Sequence, residues 1–303
     1  MTAAISPSAA STGTAAGAPA LRPARAEDAA ECGRIIYEAF KSIHDRHDFR
    51  RDFASVEAAT QLAEMFINHP SFYGVAAEVD GRVVGSNFLD ERSDVRGVGP
   101  ITVDPGLQQK GVGRLLMRDV IERGRGARGI RLVQDSFNML SLSLYASLGF
   151  DVTEPLALVE GSPKAAPRAG AEVRPMREED LAGCAALCER VHGFSRAGEL
   201  RDALRHFKPY VLVRGGRVAA YASAPTFWPL NHGVAETEDD MRALLAGAAA
   251  RCEEPLRMLV PTRQASLFRW CLGEGLRVVK PMTLMTMGEY QKPSGCWFPS
   301  VLF

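Results

Sequence analysis

The residues best placed to do chemistry lie in one run: Gly99-Pro-Ile-Thr-Val-Asp-Pro-Gly-Leu-Gln108-Gln-Lys-Gly111-Val-Gly113-Arg-Leu-Leu-Met117. A β-branched strand enters a Pro-Gly turn. A loop with two glycines follows, and then an amphipathic helix. Glycine lets backbone approach a ligand closely. The first-turn N–H groups of the helix have no internal partners and point back at the loop. The helix dipole adds about half a positive charge there. The chemistry is anion binding, and a pyrophosphate is the natural guest. The spacing lacks the Gly-Lys-Ser/Thr of a nucleotide P-loop and the third glycine of a dinucleotide fingerprint.

The surrounding pattern predicts the elements that position this loop. A strand near 21–25 precedes a helix over 28–40. A polar, His- and Arg-rich stretch from His44 to Asp52 leads to a second helix near 56–68. Residues 73–79 and 82–90 read as a hairpin through Asp80-Gly81. A strand over 97–103, the helix over 111–123, a strand at 130–134, a helix at 140–147 and a strand at 152–159 complete the unit.

The run Val103-x-Pro105-x-x-Gln108-x-x-Gly111-x-Gly113 resembles the acetyl-CoA pyrophosphate loop of the GNAT N-acetyltransferase superfamily. A second signature, Asn138-x-x-Ser141-x-x-Leu144-Tyr145-x-x-x-Gly149-Phe150, follows it. The resemblance covers about residues 21 to 159 and implies a fold. That fold is α/β, a mixed, mainly antiparallel sheet with two splayed parallel central strands, flanked by helices. The pantetheine arm of acetyl-CoA would fill the wedge. The resemblance also implies roles. The backbone of Ile101, Thr102 and Val103 would pair with the arm. Gln108 and the amides of Gln109, Lys110, Gly111, Val112, Gly113 and Arg114 would hold the pyrophosphate, with charge from Lys110 and Arg114. Asn138 would hydrogen-bond the arm, although the same position suits a helix N-cap. Tyr145 would protonate the departing thiolate. The general base is open between Asp90, Glu91 and Asp135, each at a strand end, with Glu91 expected to act with Tyr145 as catalytic. His44 and His47 are candidate acceptor contacts. No metal is expected.

The unit echoes itself. LRPARAEDAAECGRIIYEAF from Leu21 matches VRPMREEDLAGCAALCERVHGF from Val173, DGRVVGS from Asp80 matches GGRVAAY from Gly215, and SLYASLGFDV matches RWCLGEGLRV. Three echoes in one order argue for duplication. The expected organisation is a tail over 1–20, a catalytic domain over 21–160, a Pro/Gly linker over 161–170, and a degenerate copy over 171–303. In that copy the pyrophosphate loop is replaced by Pro229 to Asp240, where Glu236, Glu238, Asp239 and Asp240 would repel phosphate. Cys271 stands opposite Tyr145 and Gln264 opposite Asn138. The apolar end, Gly295 to Phe303, is expected to dock as a strand or plug.

Composition bounds the rest. The 303 residues are 46% hydrophobic and 24% charged, and 36 basic residues balance 36 acidic ones. That balance argues against binding nucleic acid by bulk charge. No apolar run approaches the roughly 18 residues of a membrane span. The six cysteines form no CxxC pair and read as buried thiols of a cytoplasmic protein. The short basic run from Arg123 to Arg131 reads as a solvated face. The expected activity is acyl-CoA-dependent acylation of a small-molecule or peptide amine, with a homodimer as the candidate assembly. A CoA-binding sensor and a protein-lysine acetyltransferase are the alternatives.

Overall fold

The computed structural model describes residues 17–108, 110–166 and 172–303. The tail reading for residues 1–20, most of which lie outside that range, the amide of Gln109 and part of the proposed linker fall beyond the described residues.

The first half runs β1 (Ala20–Pro23), α1 (Ala29–Arg46), α2 (Val56–Asn68), β2 (Phe72–Val79), β3 (Arg82–Asp90), β4 (Val95–Val98), β5 (Thr102–Val103), α3 (Val112–Arg123), β6 (Gly129–Asp135), α4 (Met139–Ser147) and β7 (Asp151–Gly161). Ser55 caps α2 by accepting from the Ala58 amide. Asp80 and Gly81 take φ values of 50° and 75°, as a two-residue hairpin turn requires. Two expectations change. Helix α1 continues through Arg46, so His44 is helical and buried. The single strand over 97–103 is broken into β4 and β5 around Gly99-Pro100, because proline cannot donate to a ladder.

The second half repeats the order: β8 (Glu172–Pro175), α5 (Leu181–His192), α6 (Ala197–His206), β9 (Tyr210–Arg214), β10 (Arg217–Ala222), β11 (Gly233–Ala235), α7 (Glu238–Ala249), β12 (Leu256–Pro261), α8 (Ala265–Gly273), β13 (Arg277–Gly288) and β14 (Cys296–Phe298). The duplication extends to side-chain geometry. Arg22 grips Asp28 at 2.6 and 2.8 Å, and Arg174 grips Asp180 at 2.7 and 2.9 Å. Each aspartate also accepts from the backbone three residues earlier, at Arg25 and Arg177.

The halves do not form separate sheets. One sheet has the order β1-β2-β3-β4-β6-β13-β7-β12, with β5 on β3; the other has the order β14-β11-β10-β9-β8. Strand β13 of the second half lies between β6 and β7 of the first. Strand β7 in turn lies between β13 and β12 of the second half. Its ladder partners are therefore second-half strands. Its side chains alternate between two cores made mainly by the second half: Ala157 and Val159 pack with Leu212 and Met258, Leu156 and Leu158 with Leu259 and Leu284. A strand buried on both faces reads as a continuous apolar run, and Pro155-Leu-Ala-Leu-Val159 is one.

This exchange generates a prediction. A chain ending at Gly161 leaves β7 without its ladder and exposes the edge of β6. It should be aggregated in size-exclusion chromatography, and co-expression with residues 172–303 should restore a soluble complex.

Candidate active site

The site begins where two parallel strands part. β4 and β6 pair in parallel at Val95/Gly129, Arg96/Ile130 and Gly97/Arg131. Beyond that, β5 pairs with β3, and Leu132 to Asp135 pair with β13. The strands diverge into a wedge. The Asp104 amide donates to Val84 on β3. Backbone groups alternate along a strand, so the N–H of Val103 faces the other way, into the wedge.

A groove of about 360 Å³ opens there, lined by Ile101, Thr102, Val103, Gln108, Gly111, Gly113, Arg114, Asp135, Asn138 and Tyr145, with α1 residues from Ala39 to Arg46 opposite. Gly111 precedes α3 with φ 89°, a left-handed conformation that favours glycine. A Cβ built on it meets nothing within 4 Å, so the space above it is open. The unpaired amides of the first turn of α3 face that space. Gln108 donates to the Val103 carbonyl and bridges the loop to the strand. Arg114 is held over the groove by Ser147 at 2.9 Å. The loop, the amides and the arginine fit a pyrophosphate. Lys110 is exposed and does not line the groove, and Val112 is buried, leaving its amide as its contribution.

Asn138 caps α4, accepting from the Ser141 amide at 3.2 Å. It also lines the groove, so cap and ligand contact are compatible, the carboxamide N–H₂ remaining a donor. Tyr145 is buried on α4. Burial pushes its phenol up to about 12, partly countered by a hydrogen bond with Ser141. The phenol therefore stays protonated, the form that can donate.

A second cavity, of about 350 Å³, meets the groove at Phe40, Ile101, Asp135, Asn138, Ser141 and Tyr145. Its walls come from both halves, with Phe53, Leu62 and Phe66 on one side and Phe227 to Leu230, Met282, Val301 and Leu302 on the other.

Of the three candidate bases, Asp135 lines both spaces. Asp90 is gripped by Arg92 through both oxygens at 2.9 and 2.6 Å, and Arg92 also binds Asp202. Glu91 pairs with Arg123 at 3.0 Å and lines neither space. Glu91, expected as catalytic, thus faces Arg123 on α3 rather than the groove. His47 packs on Phe137 and also lies outside both linings.

The pattern of the sequence did not reveal what surrounds Asp135. Lys280, on β13 and 1% exposed, places Nζ 2.7 Å from Asp135 and 2.7 Å from both oxygens of Asp52. The contact to Asp135 is a close ion pair poorly aligned for a hydrogen bond. Nζ also lies 3.1 Å from His44 Nε2 and 5.0 Å from the centre of the Trp228 ring. His44 Nδ1 lies 2.7 Å from the Phe40 carbonyl, which can only accept. Nδ1 is thus the donor, and Nε2 accepts from the ammonium. His44, Asp52 and Asp135 converge within 4.8 Å, spacing that suits a divalent cation; the ammonium of Lys280 sits among them. Burial pushes the Asp135 carboxyl above the usual carboxylate range, and Lys280 opposes that shift. The one available signal was a lone lysine in the apolar run Val278-Val-Lys-Pro-Met-Thr-Leu.

The second half is built differently at the corresponding place. Eight residues separate Val103 from α3, but two separate Ala235 from α7. Thr237 caps α7 by accepting from the Asp240 amide at 3.1 Å. Glu236 and Asp240 are balanced by Arg190, Arg214 and Arg217. The wedge between β11 and β12 is filled by β14, which pairs with β11 beside β12. Gln264, the counterpart of Asn138, donates to the Trp297 carbonyl at 2.5 Å and accepts its amide at 3.2 Å. The chain's own backbone occupies this wedge. Past β14 it crosses to the first half, with the Leu302 backbone against Gly97, where a Cβ would come within 2.3 Å of the carbonyl.

A splayed sheet, a glycine loop at a helix N-terminus and a tyrosine at the wedge meet in the first half. Residues 34–150 match the model of the acetyltransferase (GNAT) family. The whole chain is similar in fold to a putative acetyltransferase from Pyrococcus horikoshii, at 14% identity over 97% of this chain and 98% of that one, with a TM-score of 0.71. It is also similar to a GCN5-related N-acetyltransferase from Sphaerobacter thermophilus (13% identity, 90% and 96% coverage, TM-score 0.58). A tandem GNAT protein from the clavulanic acid biosynthesis pathway aligns over 90% of this chain and 100% of its own, at 14% identity and a TM-score of 0.57. No curated protein sequence matches the chain.

The groove and the filled wedge predict one CoA per chain by calorimetry. Gly111→Asp, which adds bulk and negative charge at the phosphate position, should weaken that binding by roughly 100-fold or more, about 3 kcal/mol.

Proposed function

We propose that the protein is an acyl-CoA-dependent N-acyltransferase, acetyl-CoA being the expected donor and a primary amine the acceptor. The observation that carries this reading is the meeting of groove and cavity at Asp135 and Tyr145. The two spaces give donor and acceptor separate approaches to one point. Two walls of the cavity come from different halves, which favours a small acceptor over a lysine on a folded protein.

Bound acyl-CoA supplies the acyl thioester. Gly111, Gly113 and the amides opening α3 hold its phosphates. Asp135 takes one proton from the acceptor ammonium, and burial, which raises its affinity for protons, favours that role. The Val103 N–H stabilises negative charge that develops on the carbonyl oxygen. As the C–N bond forms and the C–S bond breaks, Tyr145 gives its proton to sulfur and recovers one from the amine nitrogen. Lys280 acts through Asp135, as a positioning residue.

A thiol-release assay with acetyl-CoA and an amine panel tests this. Turnover supports it; stoichiometric CoA binding without thiol release would make the protein a sensor instead. Tyr145→Phe keeps the ring and removes the proton. It should lower kcat by roughly 10- to 10³-fold with little change in CoA affinity. Lys280→Met should shift the pH profile in a definite direction. The ammonium favours ionised Asp135, so removing it raises the carboxyl pKa, and the base form appears only at higher pH. The acid limb of kcat/KM should move upward in pH, while the Tyr145→Phe variant leaves it in place.

A further inference from the structure

The charge and lining of the second cavity name a class of acceptor, an inference that rests on the transferase reading above. The geometry points to a primary amine carried on an uncharged, apolar body about the size of one ring, without a carboxylate. Three observations combine. First, the cavity is apolar over most of its wall, through Phe53, Leu62, Phe66, Phe227, Leu230 and Leu302. Its volume of about 350 Å³ lies at the small end of the range for small-molecule sites, about 300–1,000 Å³. Second, the ionisable side chains of the wall stand at one end, and the amide of Gln134 also lines the cavity. Asp135, Asn138, Ser141 and Tyr145 stand at the junction with the groove, and Asp52 reaches the cavity from the same cluster. Third, the cluster is short of one positive charge. Among the described residues, Lys280 is the one lysine or arginine paired with these two carboxylates, and His44 Nε2 accepts from it. An ammonium at the junction makes two cations for two carboxylates. A buried carboxylate without a full partner is costly, so the site gains from an acceptor that arrives charged.

The same features exclude other amines. No lysine or arginine is among the described residues lining the cavity, so the carboxylate of an amino acid would be buried unpaired. A polyamine would place a second ammonium against the phenylalanines. A very short amine would leave the apolar wall in water.

The test uses the full chain with acetyl-CoA and four amines: 2-phenylethylamine, L-phenylalanine, spermidine and ethylamine. The expected result is a kcat/KM for 2-phenylethylamine at least 10-fold above each of the others. Phe227 is 39% exposed and stacks on Phe207 at the surface, so Phe227→Ala should fold. It should raise KM for 2-phenylethylamine at least threefold more than it raises KM for ethylamine. Preference for phenylalanine, spermidine or ethylamine would overturn the inference. So would hexanoyl-CoA outperforming acetyl-CoA with ethylamine, because the cavity would then hold the acyl chain. Calorimetry on the CoA complex separates this inference from the reading beneath it. If 2-phenylethylamine binds at least 10-fold tighter than phenylalanine but is not acylated, the transferase reading fails and the amine site stands. If neither binding nor turnover favours it, the site assigned here is wrong.

Discussion

The exchange of β7 and β13 is the constraint on which the rest depends. An antiparallel strand inserted between two others is held along both edges and cannot shift by one residue without turning its core face to the other side. Register through β13 pairs Met282 with Asp135 and sets Lys280 two residues beyond, against the end of β6. One backbone ladder thereby delivers a second-half lysine to a first-half carboxylate. The same ladder closes the acceptor cavity, because Met282 on β13 is part of its wall. The second half is thus built into the site, rather than resting on it.

Duplication and divergence can be traced through matched positions. The Arg22–Asp28 and Arg174–Asp180 pairs are superimposable in role, each joining a first strand to the start of a first helix. Divergence is concentrated at the wedge. In the first half it is lined with glycines, amides and a tyrosine. In the second the loop is shortened and the tail strand is drawn in. Trp297, Phe298, Leu302 and Phe303 are all buried, each such side chain contributing about 2 kcal/mol by removal from water. The tail satisfies the open edge of β11 with hydrogen bonds and fills the apolar space with side chains. A wedge that has lost its ligand would otherwise be an exposed sheet edge.

What was legible in the sequence was local. The glycine loop, the Asn138–Tyr145 signature and the repeated Arg-Pro strand are each defined by neighbours within one or two turns, and each lies where its pattern placed it in the fold. Glu91 and Asp135 were indistinguishable on the same terms, since both are carboxylates at strand ends. Only tertiary contacts separate them: Arg123 reaches Glu91 from α3, and Lys280 reaches Asp135 across 145 residues of chain. The exchange itself leaves a weaker trace. A run such as Pro155 to Val159 says that both faces are buried, and cannot say by which half.

The cluster around Lys280 then poses an energetic question that the cavity answers. Burying an ion pair costs desolvation that Coulomb attraction repays only with good geometry, and an apolar replacement of the same volume is often as stable. Breaking such a cluster by removing one member costs about 3–5 kcal/mol, because a charge is left uncompensated. A site kept for stability alone would match its charges. This one joins one ammonium to two carboxylates, with the imidazole as acceptor and the Trp228 ring over the cation. The imbalance is localised at Asp135, the member that opens onto both the groove and the cavity. Lys280 fixes Asp52 and holds down the proton affinity of Asp135 without cancelling its charge. The carboxylate that remains under-compensated is the one the proposed reaction uses as its base, and Tyr145 lines the same junction. The stability lost to that imbalance is of the kind a site gives up to keep a base available.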